Sequence, residues 1–270
     1  RLPQLLYCIG ALYHHQLQRG IYYSAKAASQ TAASGALKAK RGNIYFSDKN
    51  SNKISAALNR DYPVIYAVPD DILNKADTAA ALELIVGVEK TELERMFSKE
   101  GDRYELILEK ATADQALAVQ NLDLAGIYVG SELLRFYPFG SLASQVLGFV
   151  GTNQENDEPF GLYGIESFYD DALAGTDGKI EGDQITNPES GVSLSLTIDR
   201  NIQFKTCEEI KKGVQEYQPE RGSIIVMDPG TGAILAICSF PDFDPANFNT
   251  VKNINIFNNP AIFYAYEPGS

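Results

Sequence analysis

A β-hairpin near the end of the chain constrains the fold more than any other stretch. Two apolar runs, residues 224–227 and 233–237, flank Asp228-Pro229-Gly230-Thr231-Gly232. Proline presets φ for a turn and the glycines admit positive φ, so the two runs turn back on each other. Neither run alternates cleanly between polar and apolar residues, which implies a sheet covered on both faces. Beyond the hairpin lie Phe240-Pro241-Asp242-Phe243-Asp244-Pro245-Ala246-Asn247, a loop by composition, and Tyr266-Glu267-Pro268-Gly269-Ser270. Taken locally, a serine after Pro-Gly caps a helix or closes a turn.

With 270 residues the chain suffices for one large domain or two of ordinary size. Its 44% hydrophobic and 21% charged residues are those of a globular protein rather than a disordered one. The net charge of −12 argues against nucleic acid as a partner, because phosphates require a basic face. Cys8, Cys207 and Cys238 show no metal-ligand spacing, and an odd number leaves at least one without an intrachain partner. Cys238 ends an apolar strand with no histidine near it in sequence, which reads as a buried structural thiol rather than a nucleophile. His14 and His15 are adjacent with no nearby carboxylate cluster, a solvated pair rather than a metal site. Gly230-Thr231-Gly232 is a tight turn rather than a phosphate loop, since no Gly-Lys-Ser/Thr follows and a strand comes next. No cofactor and no metal are expected.

In chain order, residues 5–13 are mostly apolar. Nine helical residues reach about 14 Å against a hydrocarbon core of about 30 Å, so this segment cannot cross a bilayer alone. It also lacks the basic start and cleavage site of a signal peptide. It is either an amphipathic helix packed on the protein or the outer end of a membrane anchor. Residues 25–40 form a polar connector. Arg41-Gly42-Asn43-Ile44-Tyr45 and then Asp48-Lys49-Asn50 read as a strand leading into a turn.

The middle of the chain reads as scaffold. Residues 62–68 form a short strand between Pro63 and Pro69, which predicts an edge position. Residues 76–86 are helical and end at Gly87. Thr91-Glu92-Leu93-Glu94 has capping-box spacing and opens a short helix through Phe97. Residues 104–108 form a strand, and Thr112-Ala113-Asp114-Gln115 opens another capped helix through about Gln120. Each threonine cap is worth about 1 kcal/mol.

Chemistry-bearing motifs cluster after this. Arg135-Phe136-Tyr137-Pro138-Phe139-Gly140 precedes Ser141, a candidate helix cap, and Ala143, Val146 and Leu147 give that helix one buried face. Gly161-Leu162-Tyr163-Gly164-Ile165-Glu166 opens a helix that starts near Gly164 and stops at Gly175, with Ile165, Phe168, Tyr169 and Leu173 on neighbouring faces. Glu166 in its first turn meets the helix dipole favourably, by about 0.3–1 kcal/mol. Glu166 and Asp170 share a face, as paired catalytic acids would, although solvated or ion-paired surface carboxylates are the commoner outcome. Residues 176–191 are polar and lead to an alternating, half-buried strand over 192–198. Asp199 caps a helix with Ile202, Thr206, Ile210 and Val214 along one side.

As a set, these motifs resemble the class B penicillin-binding proteins over residues 41–270. Arg41-Gly42-Asn43-Ile44 is similar to the first signature of the family's pedestal, with Asp48-Lys49 later than the family's acidic residue. Arg135-x-Tyr137-Pro138-x-Gly140 with its Gly148-Phe149-Val150-Gly151 end resembles the second, and Gly164-Ile165-Glu166-x-x-Tyr169 through Gly175 the third. Residues 196–203, the hairpin and Glu267-Pro268-Gly269-Ser270 resemble the opening of the transpeptidase domain.

The resemblance implies an α+β fold: an elongated pedestal followed by the first part of a penicillin-binding transpeptidase domain, an antiparallel sheet covered by helices. Residues 1–37 would be a membrane-proximal segment and connector, 38–190 the dimerisation-type pedestal, and 191–270 the truncated front of the transpeptidase domain. It also implies a single-pass anchor before or partly within this chain and a place on the extracytoplasmic face of the cell membrane. Ser270 would be the acyl-enzyme nucleophile of a D,D-transpeptidase cross-linking peptidoglycan stem peptides in cell-wall synthesis, with a lean toward division-type members. Glu166 would pair with Arg41 or Arg135 and tie the pedestal together. The implied partners are stem peptides, β-lactams, a glycosyltransferase and membrane proteins of division or elongation. The family's lysine three residues after the nucleophile, its Ser-x-Asn and its Lys-Thr-Gly would all fall beyond Ser270, so this chain alone is expected to be catalytically silent. A non-catalytic pedestal that binds division or elongation partners is the alternative. A β-lactam sensor or β-lactamase is disfavoured by the long pedestal.

Overall fold

A computed structural model describes residues 36–99, 101–102, 104–153, 158–181, 184–265 and 267. In chain order the first elements are β1 (Ala36–Leu37), β2 (Ile44–Ser47), β3 (Lys53–Ala67), α1 (Lys75–Val86), α2 (Lys90–Phe97), β4 (Glu105–Leu108), α3 (Ala113–Leu122) and β5 (Ile127–Phe136). There follow α4 (Ser144–Leu147), β6 (Val150–Thr152), β7 (Pro159–Gly161), α5 (Gly164–Phe168), α6 (Asp170–Ala174), β8 (Gly178–Glu181) and β9 (Gln184–Thr186). The last are β10 (Leu194–Asp199), α7 (Arg200–Tyr217), β11 (Gly222–Met227), β12 (Ile234–Phe240) and α8 (Pro260–Phe263). The chain divides into two compact units, one built from 60–134 with 36–37 and 179–186, the other from 38–59, 135–178 and 187 onward. The apolar stretch at 5–13 lies outside the described residues. Among those described, no helix is long and apolar enough to cross a membrane.

In the first unit, helix ends follow local chemistry. The Asn74 side chain accepts from Asp77 N to start α1, and Gly87 at φ 71° stops it, as the sequence predicts. Thr112 and Gln115 form the expected reciprocal box at the start of α3, with bonds of 3.2 and 2.9 Å. Thr91 does not cap α2. The cap position is Glu89 and the helix begins at Lys90, two residues earlier than a Thr91 cap would give, because the Glu83 carboxylate accepts the Lys90 amide at 3.0 Å and supplies the partner a cap would have given. Leu82, Val86, Leu93, Phe97, Ile65, Ile107 and Ile127 make the core of this unit.

The stretch around Pro63 is not an edge. It belongs to β3, fifteen residues long, which pairs with β4 through Ile65, Tyr66 and Ala67 and also with β5. Pro63 precedes the stretch in register with β4, and its carbonyl accepts from Ala111 N at 2.9 Å, so the missing donor leaves that ladder intact.

In the second unit, β10 runs parallel to β2, with Leu194 opposite Ile44, and β2 pairs antiparallel with residues 53–57 of β3. Ile44, Phe46, Tyr137, Leu147, Phe149, Leu173, Ile198, Ile237, Phe243 and Phe257 share one core. Ser141 is not a helix cap: residues 139–143 form turns, Ala143 stands at φ 60° before α4, and the Ser141 carbonyl accepts from Ser144 N. The single helix expected from Gly164 to Gly175 is broken at Tyr169 (φ −109°, ψ 25°) into α5 and α6. Phe168, at the end of α5, is 81% exposed and Tyr169 is 43% exposed, whereas Leu173 of α6 is fully buried.

Asp199 caps α7 by accepting from Asn201 N and Ile202 N. This helix packs on the β11–β12 hairpin, with Ile210 and Val214 beside Gly222. Ala236 to Ser239 of β12 are buried, but β11 alternates, and Ser223, Ile225 and Met227 are exposed. Only one face of β11 is therefore covered among the described residues, not both. Cys238 is not a free thiol either. Because α7 lies across β12, Cys207 faces Cys238 with a Cα–Cα distance of 5.3 Å, and the two form a disulfide.

Candidate functional site

Arg41, just before β2, Arg135 at the end of β5 and Glu166 in α5 converge in the second unit. Glu166 is fully buried. Its Oε2 accepts from Arg41 Nε at 2.8 Å and its Oε1 from Arg135 Nε at 2.6 Å. Arg41 also donates from Nη2 to the Glu166 carbonyl at 2.9 Å, and its Nη1 lies 2.7 Å from Asp170 Oδ1. Arg135 Nη1 donates to the Gly42 carbonyl at 2.9 Å. Asn59 completes the ring by donating to the Arg41 carbonyl and accepting from Arg135 Nη1.

Two guanidinium groups and two carboxylates balance, which is what makes a buried charge cluster tolerable. Arg135 Nη2 is nevertheless buried without a hydrogen-bond partner among the described residues. The Tyr137 hydroxyl donates to Glu166 Oε1 at 3.5 Å; burial, reinforced by the Glu166 charge, pushes this phenol well above its ordinary value. Glu166 and Asp170 are thus neither a solvated surface pair nor a free acid–base pair, because Arg41 holds both.

Close backbone approach explains the glycines in the motifs. Gly148 (φ 74°) and Gly164 (φ 57°) lie where two loops cross. A Cβ on Gly148 would stand 1.7 Å from the Tyr163 carbonyl oxygen, and one on Gly164 2.5 Å from that of Val146. Gly42 is equally tight, 2.0 Å from the Val192 oxygen, while its amide donates to Leu173 O at 2.7 Å. Gly140 closes a turn onto the Tyr137 carbonyl, and Gly175 ends α6. Pro138 is exposed in that turn, and Tyr169 is the partly exposed break residue between α5 and α6. Ser270 lies outside the described residues.

The stretch that leads toward Ser270 rests on these same motifs, which the sequence alone did not reveal. Phe149 stacks on Phe248 at 4.2 Å and meets Phe257 edge-on at 4.8 Å; Tyr163 lies 5.1 Å from Phe257. Gln145 of α4, buried, donates from Nε2 to the carbonyls of Pro241 (2.9 Å) and Ile256 (3.3 Å). Gln203 of α7, fully buried, clasps both backbone groups of Ile237, each at 2.9 Å. Asn259 caps α8 and accepts from Ser239 Oγ at 3.1 Å. Each is a buried amide among apolar neighbours, a signal visible only once burial is known.

The comparisons with known proteins accord with this geometry. The family described as Penicillin-binding Protein dimerisation domain matches residues 36–188, and the Penicillin binding protein transpeptidase domain matches residues 222–270. The chain belongs to the penicillin-binding proteins that carry a dimerisation domain ahead of a transpeptidase domain.

It is similar to Stage V sporulation protein D of Bacillus subtilis, 31% identical over 246 residues, covering 86% of this chain and 37% of that protein. It is similar, too, to the probable peptidoglycan D,D-transpeptidase PenA of Neisseria gonorrhoeae, 27% identical over 295 residues, with 100% of this chain and 49% of that protein covered. The chain therefore spans about half or less of the length of these curated relatives. In fold it resembles the penicillin-binding protein of a PBP2–MreC complex from Helicobacter pylori, with a TM-score of 0.57, 24% identity, and 79% of this chain and 44% of that one covered.

Proposed function

We propose that this chain is the front part of a peptidoglycan D,D-transpeptidase whose nucleophile is Ser270. The observation that carries this reading is the match of residues 222–270 to the transpeptidase family, ending on the Glu-Pro-Gly-Ser run. Serine acyl transfer needs a base to take the hydroxyl proton, and a lysine one helical turn further on serves when burial lowers its pKa. The serine oxygen then attacks the carbonyl of a stem peptide's penultimate residue. The terminal amino acid leaves with the transferred proton, and an amine from a second stem peptide resolves the acyl-serine into a cross-link. A β-lactam enters the same step and stays as a stable acyl group. Residues 38–190 are the pedestal and 191–270 the front of the catalytic domain.

The Cys207–Cys238 disulfide supports a location outside the reducing cytoplasm. On this reading the protein sits on the extracytoplasmic face of the cell membrane, held by a single-pass anchor before or partly within this chain. The Helicobacter pylori neighbour is a complex with MreC, which supports a protein partner for this chain. We extend this to division or elongation membrane proteins and a glycosyltransferase. The test is labelling of the full-length protein with a fluorescent penicillin. A covalent label that disappears in Ser270→Ala is the expected result. A parent protein that takes no label, or a Ser270→Ala variant that still does, refutes the reading.

A further inference from the structure

The amide of Gln145 makes an arrangement for which holding a helix together gives no reason. Its side chain leaves α4 rather than serving it, and its two Nε2 hydrogens go to carbonyls at Pro241 and Ile256. Those carbonyls stand at opposite ends of the stretch that includes Phe243, Phe248 and the 3₁₀ turns at Pro245–Thr250 and Ile254–Phe257. One amide therefore closes the whole loop. Its neighbour Ser144 donates to Gln145 Oε1 at 3.4 Å and accepts from Phe243 N at 3.5 Å, which fixes the amide's orientation. Past Ile256 the chain buries Phe257, caps α8 with Asn259 and continues to Glu267-Pro268-Gly269-Ser270.

We infer that Gln145 is a positioning residue for acyl transfer. Lying in the second pedestal motif, it sets the path of the segment that delivers Ser270. The inference rests on the reading of Ser270 as nucleophile. The chemistry asks for such a brace, because a displacement of about 1 Å at a reacting atom costs on the order of a hundredfold in rate. Hydrogen bonds to main-chain carbonyls are directional, so they fix the path of the backbone itself, whereas dispersion contacts between side chains carry little angular preference.

The experiment uses the full-length protein with Gln145→Met, which keeps length and volume but donates nothing, and Gln145→His, which can donate to only one carbonyl. Stopped-flow acylation by a fluorescent penicillin separates the dissociation constant of the initial complex from the acylation rate constant. The expected result is a fall of about tenfold to a hundredfold in that rate constant for Gln145→Met. Gln145→His should be intermediate, and both should bind penicillin initially within about threefold of the parent.

Leu82→Ala, in the core of the other compact unit, supplies a variant that is destabilised without touching the loop. It should acylate at the parental rate well below its melting temperature. Should Gln145→Met fail to fold, Gln145→His decides the matter. A labelled parent with either Gln145 variant acylating within twofold of it overturns this inference alone, as does a Leu82→Ala variant slowed as much as Gln145→Met. An unlabelled parent overturns the assignment of Ser270 and this inference with it.

Discussion

Replacing Glu166 with glutamine keeps the shape of the side chain and removes the anion that two arginines share. The consequences for those arginines differ. Arg41 retains Asp170 at 2.7 Å and the backbone carbonyl of position 166. Arg135 retains only neutral acceptors, the Gly42 carbonyl and Asn59, around a guanidinium that is 6% exposed. Nearly all of the penalty therefore falls on Arg135.

Removing one partner of a buried pair costs about 3–5 kcal/mol, and solvent does not screen this site. For a chain of this size, about 2–4 °C of melting temperature accompanies each kcal/mol, so Glu166→Gln should melt about 6–20 °C lower. Asp170, with a side chain 29% exposed, should matter far less: Asp170→Asn should lose about 1 kcal/mol or less. The chain holds no tryptophan, so calorimetry is the better assay, with near-ultraviolet dichroism of the tyrosines as a check. The double variant Glu166→Leu with Arg135→Met should recover most of the loss, because it leaves Arg41 paired and no anion unmatched. A shift under about 2 °C for Glu166→Gln would refute the reasoning, as would a double variant whose loss equals the sum of those of Glu166→Leu and Arg135→Met made singly.

Two further outcomes follow from local geometry. Thr112→Ala removes one arm of a reciprocal capping box and should cost about 1 kcal/mol in urea unfolding, whereas Thr91→Ala, inside a helix that starts without it, should stay within about 0.5 kcal/mol of the parent. The Cys207–Cys238 bond closes a loop of 31 residues, so Cys207→Ser with Cys238→Ser should lose about 3–4 kcal/mol of stability. Rapid maleimide labelling of both cysteines in the unreduced, folded protein would show instead that the bond is absent.

Signals confined to a few neighbouring residues were legible in the sequence. The Thr112 box, the Gly87 stop and the Asp199 cap depend only on backbone groups within one turn. Thr91 misled because its competitor, the Glu83 carboxylate, sits in the preceding helix, and nothing local announces that reach. Pro63 misled because a proline forbids one hydrogen bond, not a central strand. The motifs around Arg41, Arg135 and Glu166 were legible as a set, yet sequence spacing could not say that both arginines hold Glu166 or that it is fully buried. The disulfide was invisible for the same reason: it needs α7 laid across β12. Gln145 gave no signal at all, since a glutamine on a short helix is ordinarily solvated.

The parallel pairing of β10 with β2 sets an order of events for the growing chain. Ile44 and Phe46 emerge early, but Leu194, Ile237 and Phe257, with which they share a sheet or a core, come far later. At about 5–20 residues per second, the roughly 190 residues between Ile44 and Ile237 take about 10–40 s to synthesise. Residues 60–134 can settle into their own core within that interval. The β2 strand can pair at once with residues 53–57 of β3. Its other edge, which β10 later fills, and its apolar side chains must wait uncovered, and that open edge is what a chaperone would have to protect.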